Sequence, residues 1–211
     1  MKRKEIRKKI PVAVVSADKE IIELIEESPA FDIIGIIDTR KDVDTLGYPL
    51  LGEDFDWPQI VTQYKGLKII LAIDPPEKKR KLAFYYGIKS LASLISKDAH
   101  VSPSAILREG CLVQQGVKIM SSVKIGIACK VNVNAVVHHD TVVGNFCTLA
   151  PGSMLLGAVK IEDNVFVGAG AIVLPKVHVG RNSIIGAGAV VVKDVGVNSV
   201  VAGVPAKKLV K

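Results

Sequence analysis

The sequence predicts a parallel β-helix preceded by a small α/β domain, and three observations predict it. Sixteen positions six residues apart, from Val101 and Leu107 to Ile185 and Val191, are all Val, Leu or Ile. Two residues before each of them, from Ala99 to Ala189, the side chain is always Ala, Ser, Thr, Cys or Val. Ahead of both tracks, β-branched runs alternate with helical stretches.

A period of six is neither that of an α-helix nor a simple strand alternation; it is the sequence form of a solenoid whose short strands are joined by turns. If three hexapeptides close a triangular coil, eighteen residues return the chain to the same face about 4.8 Å further along the axis, the ordinary strand spacing. The aliphatic track fills the interior, and the small track fits where the walls converge. Gly126, Gly144, Gly168, Gly180 and Gly186 each follow an aliphatic position directly. Turns with φ > 0 are expected at these glycines.

The region before the repeat reads as strand over residues 12–16, helix over 18–27, strand over 33–38, an apolar run over 67–73 and a helix from about Pro76. Such β/α units form a small parallel, Rossmann-like sheet whose ligands bind beyond the carboxyl ends of the strands. The expected organisation is a basic tail over residues 1–10, an α/β domain over 11–98 and the repeat domain with its C-terminal extension over 99–211.

The net charge of +7 looks like a nucleic-acid footprint until it is located. Six basic residues against Glu5 put +5 of it in the first nine positions, which leaves +2 for everything else. A short basic arm of this kind is ordinarily solvated, and no nucleic-acid partner is expected. The apolar run after it contains Pro11 and leads into Asp18 and Lys19, so it reads as the first strand rather than as a signal peptide. No run approaches the roughly 18 apolar residues that cross a bilayer, and a cytoplasmic protein without membrane insertion is expected. Cys111, Cys129 and Cys147 are spaced eighteen apart on the small-residue track, where a thiol packs as a small hydrophobe.

One polar constellation interrupts the repetitive wall. His138 and His139 are the chain's one adjacent histidine pair, and Asp140 follows them. His139 lies two positions beyond the core residue Val137, so it should point outward near a corner. A carboxylate beside it can accept from one ring nitrogen, fix the tautomer and leave the other nitrogen as a base. No close histidine pair of zinc-ligand spacing accompanies it, and no metal is expected.

An α/β domain, a hexapeptide prism, His139-Asp140 and a closing Gly203-Val204-Pro205-Ala206-Lys207 together resemble the sialic acid O-acetyltransferase (NeuD) family, which includes the PglD-type acetyltransferases of nucleotide-linked amino sugars. The resemblance covers nearly the whole chain and is strongest between Ala99 and Lys208. It implies the left-handed form of the β-helix and a homotrimer with acetyl-CoA between adjacent prisms. It also implies direct acetyl transfer to the amine, or less often a hydroxyl, of a nucleotide-linked sugar in cell-surface glycan biosynthesis. His139 then corresponds to the general base and Asp140 to the acid that orients it. Gly157, Ala169 and Ala187 match positions that face the acetyl and pantetheine portions, Lys207 and Lys208 could meet the CoA phosphates, and Asn132 matches a position that reaches the sugar.

The chain departs from these relatives in three places. Their Gly-rich loop after the first strand is here Ser16-Ala17-Asp18-Lys19, where Ser16 can still donate to a diphosphate. A segment that commonly reads Ala-Ile-Gly is Ala72-Ile73-Asp74, followed by Pro75 and Pro76. A second histidine nine residues after the first is Thr148, whose hydroxyl can still hydrogen-bond the thioester of acetyl-CoA. Asp38 does match the acidic position placed near the base or ribose. Two rival readings follow from the departures: an acyltransferase for a non-nucleotide amine such as an amino-acid precursor, and a non-catalytic binding protein.

Overall fold

In the computed structural model, which describes residues 9–209, the chain divides between Ala72 and Ile73 into two units. Residues 1–8 of the basic tail expected over 1–10 lie outside the described residues.

The first unit contains β1 (Ile10–Val15), α1 (Lys19–Glu26), β2 (Phe31–Ile37), β3 (Leu50–Gly52), α2 (Trp57–Gln63) and β4 (Lys68–Leu71). Its sheet has the order β3-β2-β1-β4, with every pairing parallel. The central strand β1 buries Val12, Ala13, Val14 and Val15 consecutively. Burial on both faces explains a run without polar alternation. Asp18 caps α1 by accepting from the amide of Ile21, and Ile21, Ile22, Leu24 and Ile25 form its buried stripe. The sequence signalled neither β3 nor α2. β3 has only three residues and ends in glycine, while α2 carries Pro58 in its first turn and buries only Trp57 and Ile60.

The second unit begins with the segment that carries α3 (Pro76–Tyr86) and continues into the prism. Sixteen two-residue strands, from His100–Val101 to Val190–Val191, each end on one of the sixteen aliphatic positions. A further strand, Leu94–Ile95, pairs with Leu112–Val113 ahead of Ala99. Three parallel faces result. Face one runs from Leu94–Ile95 through Lys130–Val131, Thr148–Leu149 and Phe166–Val167 to Val200–Ala202. Face two runs from His100–Val101 through Val136–Val137 and Met154–Leu155 to Val190–Val191. Face three runs from Ile106–Leu107 to His178–Val179. Partners are eighteen residues apart through the repeat, as in Val137↔Leu155 and Leu155↔Val173, and sixteen apart at the last parallel step of face one, Ile184↔Val200. Face one alone ends in a reversed strand, where Lys207–Lys208 runs antiparallel to Val200–Ala202.

Both tracks fill the interior. Val131, Val137, Val167, Val173 and Ile185 are fully buried, as are Cys111, Ala135, Cys147, Ala171 and Ala189. Apart from Ser153, whose buried hydroxyl has no hydrogen-bond partner among the described residues, the polar members of the small track find acceptors one coil away. The thiols of Cys111, Cys129 and Cys147 donate to the carbonyls of Gly126, Gly144 and Glu162 at 3.1, 3.0 and 3.1 Å. The Thr141 hydroxyl donates to Leu156 O at 3.0 Å. Burial pushes the Cys129 thiol far above its ordinary range. These cysteines are packing residues rather than a redox or metal site.

The corners correct one expectation. Positive φ falls on the third residue after every aliphatic position from Leu107 to Ile185, as at Gly116, Ser122, Ala128, Asn134, Asp140 and Phe146. It does not fall on Gly126, Gly144, Gly168, Gly180 or Gly186, which directly follow the aliphatic residue. Those glycines answer a steric demand instead. A Cβ at Gly168 would lie 2.5 Å from Ala187 N, and one at Gly180 would lie 2.6 Å from Val197 N. Coil packs on coil through bare backbone at these points.

Candidate active site

His139 and Asp140 occupy the corner between faces two and three. Asp140 is itself the left-handed residue of that corner, with φ 60°. This turn carries its carboxylate back toward the preceding ring, and His139 Nδ1 lies 2.8 Å from Asp140 Oδ2. Nδ1 donates to the carboxylate, which leaves the lone pair of Nε2 free. Both side chains are more than half exposed. Gly157 is the equivalent corner residue one coil on, and a Cβ placed there would stand 2.9 Å from Cε1 and Nε2 of His139. The missing side chain at Gly157 therefore makes room for the imidazole. His138 stands edge-on to His139 with ring centroids 4.7 Å apart, and its buried Nδ1 has no hydrogen-bond partner.

Ala169 and Ala187 lie at a different corner, between faces one and two. They stack on successive coils, with Gly188 N donating to Ala169 O at 2.8 Å, and both are exposed. Within one chain, then, face two separates the His139 corner from the Ala169 and Ala187 corner. Lys207 and Lys208 are exposed on the reversed strand that closes face one.

Thr148 does not join this group. It is fully buried on face one beneath α3, where its hydroxyl accepts from Lys79 Nζ at 2.7 Å and donates to Asp74 O at 2.6 Å. A hydroxyl so engaged is closed to a thioester, which corrects its expected place on the acetyl-CoA side. Asn132 is also on face one's edge, 6% exposed, with its Nδ2 donating to Leu149 O at 2.9 Å and standing 3.5 Å from Asp74 Oδ1.

In the first unit, Ser16 adopts φ 72° immediately after β1, the left-handed conformation that glycine takes most readily. Asp38 follows β2 and is 8% exposed. Its carboxylate accepts from the Ala17 amide at 2.9 Å and receives a two-pronged contact from Arg40, through Nε at 3.0 Å and Nη2 at 2.6 Å. The Arg40 guanidinium beside Asp38 holds its carboxyl well below the usual carboxylate range. Asp38 thus ties the end of β2 to the β1–α1 loop, with Arg40, two residues on, as a partner that no sequence signal marked. Among the described residues, no group of three or more His, Cys, Asp or Glu could hold a metal ion.

The bacterial transferase hexapeptide family (six repeats) matches residues 158–193. Over nearly its whole length the chain is similar to the solved structure of PerB from Caulobacter crescentus, in complex with CoA and GDP-perosamine. The two share 34% identity, with 95% of this chain and 97% of that one covered and a TM-score of 0.84. The chain belongs to the hexapeptide-repeat nucleotide-amino-sugar acetyltransferases. It is also similar to the acetyltransferase domain of PglB from Neisseria gonorrhoeae, at 28% identity, 95% and 100% coverage and a TM-score of 0.88. A further likeness is to WeeI from Acinetobacter baumannii, at 27% identity, 94% and 99% coverage and a TM-score of 0.82.

For this acetyltransferase, the Gly157 contact gives a direct test of how the imidazole is held. Gly157→Ala places a methyl group against the ring, and the displacement is expected to lower kcat by roughly ten- to a hundredfold. Steady-state kinetics check it alongside the melting temperature. A variant with both values unchanged would show that the ring does not depend on the bare backbone beneath it.

Proposed function

We propose that the chain is a cytoplasmic homotrimer that transfers the acetyl group of acetyl-CoA directly to the amine of a nucleotide-linked sugar, which then enters cell-surface glycan synthesis. The observation that carries this reading is the His139–Asp140 pair, with Nδ1 committed to the carboxylate at 2.8 Å and Nε2 left open at a solvent-facing corner. As the amine attacks the thioester carbonyl, His139 Nε2 takes its proton, the new N–C bond forms and the C–S bond breaks. The proton then passes to the departing CoA thiolate, which leaves the imidazole neutral again. Asp140 stabilises the transient imidazolium and keeps the tautomer.

Gly157, Ala169 and Ala187 are the donor contacts in this scheme, with Lys207 and Lys208 meeting the CoA phosphates as charge-assisted donors. Two facts support an arrangement that uses neighbouring copies. His139 and the alanine pair lie on opposite edges of face two, and its outward residues Val136, Met154, Ile172 and Val190 form an apolar ladder of adjacent pairs. A second copy covering that ladder would bring one chain's His139 to another's alanine corner. Ser16, Asp38 and Asn132 are the acceptor contacts. Among the described residues no helix is long and apolar enough to cross a membrane, which fits a soluble donor and acceptor.

The test is release of free CoA from acetyl-CoA against GDP-, UDP- and TDP-linked 4-amino sugars. GDP-perosamine comes first, because the relative at 34% identity was captured with it. Turnover of one member is expected. If all are refused and a non-nucleotide amine is acetylated, the acceptor class is wrong and the Arg40 fork on Asp38 becomes the reason that the nucleotide is excluded.

A further inference from the structure

α3 turns its buried stripe toward the prism at positions 79, 83 and 86, and the first of these is a lysine. Lys79 is 1% exposed, and its ammonium donates to Cys147 O at 2.8 Å and to Thr148 Oγ1 at 2.7 Å. Among the described residues no carboxylate pairs with it. Burial lowers its pKa to about 8, opposed by the charge of Asp74 and reinforced by that of Lys130. A methionine in the same place would bury its stem at far smaller cost, because an apolar side chain loses no hydration.

The bonds that start at this lysine lead to one exposed end. The Thr148 hydroxyl in turn donates a hydrogen bond to Asp74 O at 2.6 Å. The Asp74 carboxylate, about half exposed, meets Lys130 Nζ at 3.1 Å through Oδ2 and faces Asn132 Nδ2 at 3.5 Å through Oδ1. Lys130 is itself almost fully buried. Asp74 is thus the point at which a buried polar network reaches solvent, and it does so beside a residue assigned above to the acceptor. A fully satisfied buried network fixes geometry more tightly than apolar packing does.

We propose that Lys79 is a positioning residue for the acceptor sugar: acting through the Thr148 hydroxyl, it fixes the Asp74 backbone so that the Asp74 carboxylate and the Asn132 amide form one recognition platform. The platform presents a carboxylate, which accepts only, so the ligand groups it suits are hydroxyl or ammonium donors of the sugar. This inference rests on the acceptor assignment of the preceding section, and it gives Thr148 a role distinct from acetyl-CoA contact.

Three variants test it in steady-state assays in which acceptor and acetyl-CoA are each varied: Lys79→Met, Thr148→Val and Thr148→Ser. The first two are expected to raise KM for the nucleotide sugar by about tenfold or more while KM for acetyl-CoA stays within about twofold, the signature of lost acceptor binding. Thr148→Ser keeps the hydroxyl and should stay near wild type. If Lys79→Met does not fold, the comparison of Thr148→Val with Thr148→Ser still decides. An unchanged acceptor KM in a folded Thr148→Val overturns the proposal, and so does a parallel rise in both KM values. A wild-type enzyme that acetylates no nucleotide sugar removes the acceptor assignment, and this inference with it, whereas an active wild type with insensitive variants removes this inference alone.

Discussion

Replacing His139 by alanine is expected to lower kcat by roughly 10²- to 10⁴-fold, the usual contribution of a positioned general base. Within the His139 ring Nε2 is the one nitrogen left open, since Nδ1 is spent on Asp140, and the neighbouring His138 has its Nδ1 buried. Binding of acetyl-CoA should survive, because its proposed contacts are glycine, alanine and the two lysines rather than the ring. Calorimetric titration with acetyl-CoA and a CoA-release assay on the same preparation separate the two effects. A His139→Ala variant that keeps more than about a tenth of the wild-type rate would require a different base.

The second large effect is on stability. Gly168→Ala introduces a Cβ 2.5 Å from Ala187 N, 2.8 Å from Gly186 C and 2.8 Å from Ile185 O, all of them backbone atoms of the next coil. No rotamer relieves such a clash, and the coils must separate where their ladder hydrogen bond, Gly168 N to Ile185 O at 2.8 Å, is made. Overpacking of this kind costs typically 1–3 kcal/mol, and a site with three backbone collisions belongs at or above the top of that range. Gly188→Ala is the control. Gly188 has φ 65° and nothing within 4 Å of its missing Cβ, and alanine already serves at left-handed corners such as Ala128 and Ala158. Thermal melts should therefore show a much larger drop for Gly168→Ala. Equal drops would mean that torsion, not approach, governs both glycines.

This contrast shows where sequence reasoning stopped. A six-residue period reports which side chains point inward, and the strands, coil length and buried tracks followed from it. It does not report torsion angles, so two glycine roles looked alike: close approach at Gly168 and positive φ at Gly188. His139-Asp140 was legible because a charged pair breaks an otherwise apolar and turn-forming routine. Thr148 was misjudged because its surroundings depend on α3 crossing face one, a contact between positions 69 residues apart. The spacing of Lys79, Ala83 and Tyr86, i, i+4 and i+7, did contain the clue that a lysine faced inward. Charge obscured it, since lysines are ordinarily solvated.

The reversed Lys207–Lys208 strand has a consequence for the whole particle. A stack of parallel coils has no intrinsic length: its last strand offers the same row of amides and carbonyls as every strand before it, and could template another molecule. On face one that row is occupied by a strand of opposite direction bearing two exposed lysines. An incoming parallel coil meets mismatched polarity and like charge, which disfavours end-to-end stacking at this face.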